Sequence, residues 1–246
     1  MTTVLKLGGS IITHKDAVEA VDEVHLTALA TAIADTPDPL VIVHGGGSFG
    51  HHHAATHGVS STAGTTDPTV IMAIHSAMRR LNQAVVERLI SAGVLAVPMA
   101  PLGFAYRGRA DELQLESAPM ALALERGFTP VCFGDIIMDA GRGASILSGD
   151  HLVSAVAQQM DADRIGLCGD VPGVLDAEGG IFERITSFEA VADSIHSSAV
   201  TDVTGGMAGK IRGMLALGRP VRIFGADDLS GFLTGEPVGT LVDGSQ

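Results

Sequence analysis

Lysine is nearly missing from this chain. Of its 246 residues, 15 are Lys or Arg and 28 are Asp or Glu, so the formal charge is −13. Three of those basic residues are lysines: Lys6, Lys15 and Lys210. No window carries the basic stripe that a polyanion needs, which argues against a nucleic-acid partner. Only two cysteines are present, Cys132 and Cys168, both inside apolar runs. They read as buried small side chains in a reducing compartment, not as a disulfide framework. The longest apolar runs fall well short of the ~20 residues of a membrane span. Met1-Thr2-Thr3-Val4 lacks the basic and apolar regions of a secretory leader. A cytoplasmic protein without membrane contact is therefore expected. An acidic, lysine-poor composition fits a salt-adapted proteome or a GC-rich genome. Its local consequence is sharper: each lysine is expected where a cation on a long stem is required.

What is present has the rhythm of an α/β fold. Val4–Leu7 reads as a short apolar strand ending at Gly8-Gly9-Ser10. Helical spacing runs from Ala17 to Ala34, with Asp16 as N-cap. Leu40–Val43 is a buried strand followed by His44-Gly45-Gly46-Gly47-Ser48, and residues 68 to 92 form a long helix. Val94–Val97 and Thr129–Phe133 are strands, Arg107–Arg109 a polar turn, and Ser117–Glu125 a helix. Asp135–Met138 and Ala144–Leu147 make a hairpin. Ser148-Gly149-Asp150 opens a helix reaching Met160, and Arg164–Cys168 is the next strand. A polar stretch from Ala177 to Ser198 holds one short helix. Thr204-Gly205-Gly206 leads a helix through Leu217, and Val221–Phe224 and Gly239–Val242 close the fold. Short apolar strands alternating with helices predict a mainly parallel sheet covered on both faces. No linker divides the chain.

In such a sheet, ligands bind at the carboxyl ends of the strands. Four glycine-rich turns belong there: Gly8-Gly9-Ser10, Gly45-Gly46-Gly47, Gly169 to Gly173, and Thr204-Gly205-Gly206. Glycine lets backbone N–H groups approach an anion, and a following helix adds its dipole. One such turn is ordinary αβ loop chemistry; four at one edge point to phosphate. All three lysines flank these turns. Phosphoryl transfer needs positioning and cations around the equatorial oxygens, with little covalent help. Asp150, at a helix start, reads either as a favourable N-terminal carboxylate or as the group that orients the lysines. Ten histidines include the run His51-His52-His53. Consecutive side chains on a helix face different directions, and no ligand set lies nearby, so no metal site is expected. One imidazole facing the glycine pocket suits an anionic acceptor. His44 reads as structural, and Arg79-Arg80 as a solvated helix face.

These residues resemble the amino-acid kinase superfamily, in order and over essentially the whole chain. The pattern is Lys6-Leu7-Gly8-Gly9-Ser10, Gly45-Gly46-Gly47, Ser148-Gly149-Asp150, Asp170 to Gly173, Thr204 to Lys210, and Gly239-Thr240. Val43-His44-Gly45-Gly46-Gly47-Ser48-Phe49-Gly50-His51 is similar to the isopentenyl phosphate kinase family within it. The resemblance implies an αβα sandwich over residues 1–246, with an acceptor lobe to about 160 and a nucleotide lobe from about 161. It implies ATP-dependent phosphorylation of isopentenyl phosphate, in an archaeal-type mevalonate route, by a homodimer. By position, Lys6 would meet the transferring phosphate and Lys15 the ATP phosphates. Gly8, Gly9 and Ser10 would cradle the nucleotide phosphates. Gly45, Gly46, Gly149 and His51 would surround the acceptor. Asp150 would organise the lysines, and Asp170, Gly205 and Lys210 would lie along the nucleotide. Mg²⁺ would be held mainly by the phosphates. Met72, Met78, Ile146 and Leu147 are candidates for an apolar slot, each equally readable as core. A related phosphonate kinase of the fosfomycin-kinase type, or a non-catalytic nucleotide binder, are the alternatives.

Overall fold

The computed structural model describes residues 1–36, 38–192, 194 and 206–245. Its central sheet has eight strands in the order β10-β12-β11-β9-β1-β2-β6-β3. These are β1 (Thr3–Leu7), β2 (Leu40–His44), β3 (Ala96–Pro98), β6 (Thr129–Phe133), β9 (Arg164–Gly169), β10 (Arg184–Ile185), β11 (Pro220–Gly225) and β12 (Thr240–Asp243). All neighbours run parallel except β11 and β12. β1 lies inside the sheet, in register with β2 on one side and β9 on the other, so Lys6 is flanked by Val43 and Leu167.

Alternation along each strand builds two cores. Leu5, Leu7, Ile42, Phe133 and Phe224 point to one face. There they pack under α1 (Gly9–Ile12), α2 (Glu23–Ala34), α4 (Pro68–Ser91) and α8 (Leu229–Thr234). Val4, Val41, Val43, Cys132 and Leu167 point to the other face. There they meet α6 (Gly149–Gln159) and α7 (Gly206–Leu217), with α5 (Ala118–Glu125) alongside. Each fully buried branched or aromatic side chain contributes about 1.5–3 kcal/mol. This is the expected αβα layering.

A second, four-stranded sheet was not foreseen as a unit. Its order is β5-β4-β7-β8, formed by β4 (Ala105–Arg107), β5 (Leu113–Leu115), β7 (Asp135–Asp139) and β8 (Gly143–Leu147). The β7–β8 hairpin matches its sequence signal. β4 and β5 have only three residues each, too few for alternation to register. Arg107 consequently sits on β4, buried, rather than in a polar turn. α2 starts at Glu23 with Asp22 as N-cap, accepting from His25 N–H, so Asp16 is not the cap. β3 begins at Ala96, two residues later than the expected Val94. The polar stretch from Ala177 to Ser198, where one short helix is expected, carries β10, and its residues 193 and 195–198, with the Thr204-Gly205 part of the last glycine turn, fall outside the described residues.

Candidate active site

The carboxyl ends of β1, β2 and β9 bring three of the glycine turns together. A Cβ on Gly9 would lie 2.2 Å from Gly47 N, and one on Gly45 would lie 2.7 Å from Gly9 N. A Cβ on Gly8 would approach Cys168 O and the Gly169 backbone. The first two loops therefore interlock backbone to backbone, which only glycine permits. Gly47 also has φ of 47°, in the region that favours glycine. It opens α3 (Gly47–Thr56), whose N-cap is Gly46. Thr13 ties the junction: its hydroxyl donates to Gly9 O at 2.8 Å and accepts from Ser48 N–H at 3.0 Å.

Lys6 points from β1 toward α6 and donates to Asp150 Oδ1 at 2.6 Å. The lysine is 8% exposed. Burial is tolerable because the carboxylate faces it directly. Asp150 sits in the first turn of α6, after the N-cap Ser148. Gly149 lines this pair: a Cβ there would stand 3.4 Å from both Lys6 Cε and His44 O, in ordinary contact. Gly134, between β6 and β7, presses close to Gly149 N. Its role at this junction was not read from the sequence, although it ends a strand as the other site glycines do.

A second lysine–carboxylate pair closes the other side. Lys15 donates to Asp170 Oδ2 at 2.7 Å, joining the loop after α1 to the end of β9. The Lys15 ammonium holds the Asp170 carboxyl below the usual carboxylate range, against partial burial, and Lys210 adds charge. Lys210 lies half-buried on α7. The structure thus gathers Lys6 with Asp150, and Lys15 with Asp170 and Lys210. Gly205 lies outside the described residues.

The histidine run separates into distinct roles. His51 is exposed, one turn into α3. His53 is drawn instead to Glu19, with Nε2 at 2.7 Å from Oε1. His44 is fully buried, stacked on Phe133 and contacted by Asn82. Burial pushes its imidazole down to about 4, so it is neutral near pH 7, as expected of a structural histidine. Burial pushes both thiols, Cys132 and Cys168, up to about 12. Arg79 and Arg80 are exposed, as expected of a solvated helix face, and the Arg80 guanidinium also forks Glu19. Glu19 was not singled out from the sequence, and its pairing with His53 and Arg80 was not read there, because the three are far apart along the chain. Of the apolar-slot candidates, Met72 is exposed and Leu147 is part of the main core. Met78 packs against Gly46 and Gly50, and Ile146 joins a small cluster around Ile74 and Ile136.

Among the described residues, no group of three His, Cys, Asp or Glu could hold a metal ion. No described helix is long and apolar enough to cross a membrane.

Residues 1–224 match the model of the amino acid kinase family. An isopentenyl phosphate kinase of Haloferax volcanii is 51% identical over 243 residues, covering 98% of each chain. One from Methanothermobacter thermautotrophicus is 34% identical, covering 87% of this chain and 86% of its own. A crystal structure of isopentenyl phosphate kinase superposes with a TM-score of 0.85 at 29% identity, over 98% of this chain and 99% of that one. The chain therefore belongs to the amino acid kinase family, and within it to the isopentenyl phosphate kinases.

Proposed function

We infer that this protein transfers the γ-phosphoryl group of ATP to isopentenyl phosphate, giving isopentenyl diphosphate and ADP. The observation that carries the reading is the buried Lys6–Asp150 pair, set where the interlocked glycine loops meet the start of α6. A cation held there serves a migrating phosphoryl group and has little use in a purely structural role.

In this reading the donor phosphates rest on Gly8, Gly9 and Ser10, with Lys15 over them. Asp170, Gly205 and Lys210 follow the nucleotide. The acceptor phosphate takes backbone N–H groups of Gly45, Gly46 and Gly149 and a hydrogen bond from His51. An acceptor oxygen then attacks the γ-phosphorus in line, and the bond to the β–γ bridging oxygen breaks. Lys6 faces the equatorial oxygens, where charge is concentrated, and Asp150 holds its ammonium in place. Mg²⁺ would ride on the nucleotide phosphates, because Asp150 and Asp170 are each already paired with a lysine. The two sides correspond to an acceptor lobe to about residue 160 and a nucleotide lobe beyond it. A cytoplasmic homodimer is the proposed assembly.

A coupled ADP-release assay tests the reading. Saturable turnover with isopentenyl phosphate is expected, with none or little on a phosphonate such as fosfomycin. The reverse preference would assign the site to a phosphonate kinase. ATP binding without turnover of either would make the chain a nucleotide binder.

A further inference from the structure

The loop that carries Lys15 is sewn back on itself. Thr13 bridges Val21, His14 N–H donates to Ala20 O at 3.0 Å, and Asp22 N–H donates to Ile12 O at 3.0 Å. Lys15 stands at the outward end, its side chain 67% exposed. On the returning limb, Glu19 takes φ of 51°, a left-handed conformation that costs any residue with a Cβ conformational energy. Glycine would sit there without that cost, so the side chain must offset it.

The Glu19 side chain does have an unusual set of partners. Its Oε1 accepts from His53 Nε2 at 2.7 Å and from Arg80 Nη2 at 2.6 Å, and its Oε2 accepts from Arg80 Nε at 2.9 Å. An arginine fork of this kind fixes orientation as well as distance. The Arg80 guanidinium holds the Glu19 carboxyl below its ordinary range, against burial, and His53 adds to the effect. His53 is on α3, two residues after His51, and Arg80 is on α4, two residues after Met78. A third stitch runs from Ala20 N–H to the Ser48 hydroxyl, again on α3.

We propose that Glu19 is a positioning residue for phosphoryl transfer: it locks the Lys15 loop to α3 and α4, so that the donor lysine and the acceptor histidine share one rigid frame. This rests on the roles given above to Lys15 and His51. Glu19 touches neither substrate in this scheme and acts through Lys15.

The test is a double-mutant cycle. Glu19→Gly removes the clamp and relieves the left-handed strain, so the folded state should survive. A kcat about tenfold lower and a raised KM for ATP are expected, with KM for isopentenyl phosphate little changed. Arg80→Gln should reproduce this pattern, and it serves as the folded variant should Glu19→Gly fail to fold. In a Lys15→Met background, either change should cost nothing further. Losses that multiply in that background would overturn the clamp while leaving the role of Lys15 intact. Lowered thermal stability with unchanged kinetics would overturn it too. Full activity in Lys15→Met alone would overturn the reading of Lys15, and the proposal with it.

Discussion

Two lysines carry the proposed chemistry at the level of single residues, and they are held in opposite ways. Lys6 is buried against Asp150, whereas Lys15 is exposed and reaches Asp170. Replacing Lys6 by Met should leave Asp150 without its partner near the reacting centre. We expect kcat to fall by at least two orders of magnitude in the ADP-release assay, and unchanged turnover would remove its role. His51→Ala is a separate case. Losing one charge-assisted hydrogen bond to a phosphate costs about 1.5–3 kcal/mol, or roughly 10- to 150-fold. Because the acceptor phosphate is the proposed partner of His51, the loss should fall on acceptor use. KM for isopentenyl phosphate should rise and kcat/KM for it should drop, while the affinity for ATP stays nearly constant. Equal losses for both ligands would make the histidine structural.

The elements around these residues are joined where their ends meet. Gly9 and Gly47 are so close that a Cβ on Gly9 would overlap the Gly47 backbone. Gly9→Ala must therefore push α3 off the first glycine loop. It should abolish measurable turnover and lower the melting temperature, whereas Gly103→Ala, at an exposed glycine with open space and no positive φ, should not affect turnover. The β7–β8 hairpin offers a pH test. Asp139 has no exposed side-chain surface, and burial alone would raise its pKa. The Ser145 hydroxyl, the Arg142 guanidinium and two backbone N–H groups override this and hold the carboxyl at about 2. A folded-state pKa below the unfolded value stabilises the fold above the unfolded pKa, near 3.8, and that stability is lost as pH falls through 2. The contribution is of the order of 2 kcal/mol. Urea midpoints taken from pH 5 down to pH 2 should fall more steeply for the native chain than for Asp139→Asn. Parallel curves would show that Asp139 is not responsible.

The whole molecule carries a charge of −13 on 246 residues, yet its three lysines lie toward one edge of the sheet. Self-repulsion of this size weakens the compact state and is screened by salt, with a Debye length of about 10 Å at 0.1 M and 3 Å at 1 M. The melting temperature should therefore climb as KCl is raised toward molar concentrations. The Lys6–Asp150 pair is largely buried and should be less sensitive to salt than the exposed Lys15–Asp170 pair. A protein most stable in dilute buffer would exclude salt adaptation as the reason for its scarce lysine.

Much of this protein could be read from its residues in order. Apolar tetrapeptides ending in glycine located β1, β2 and β9, because a buried parallel strand has no polar face and its turn needs a residue without Cβ. Lysine scarcity made Lys6, Lys15 and Lys210 conspicuous, and the structure places each beside the glycine edge. Other features depended on tertiary contact. β4 and β5 are too short for a periodic signal and exist because β7 offers them an edge. His53, Arg80 and Glu19 each resemble ordinary surface residues in the sequence, and the run His51-His52-His53 does not reveal which imidazole stays exposed. Local pattern dictates which segments become strands and turns, since backbone conformation and burial are decided within a few residues. Which carboxylate faces which cation, across separations of 144 and 155 residues, is decided only when the sheet brings the strand ends together.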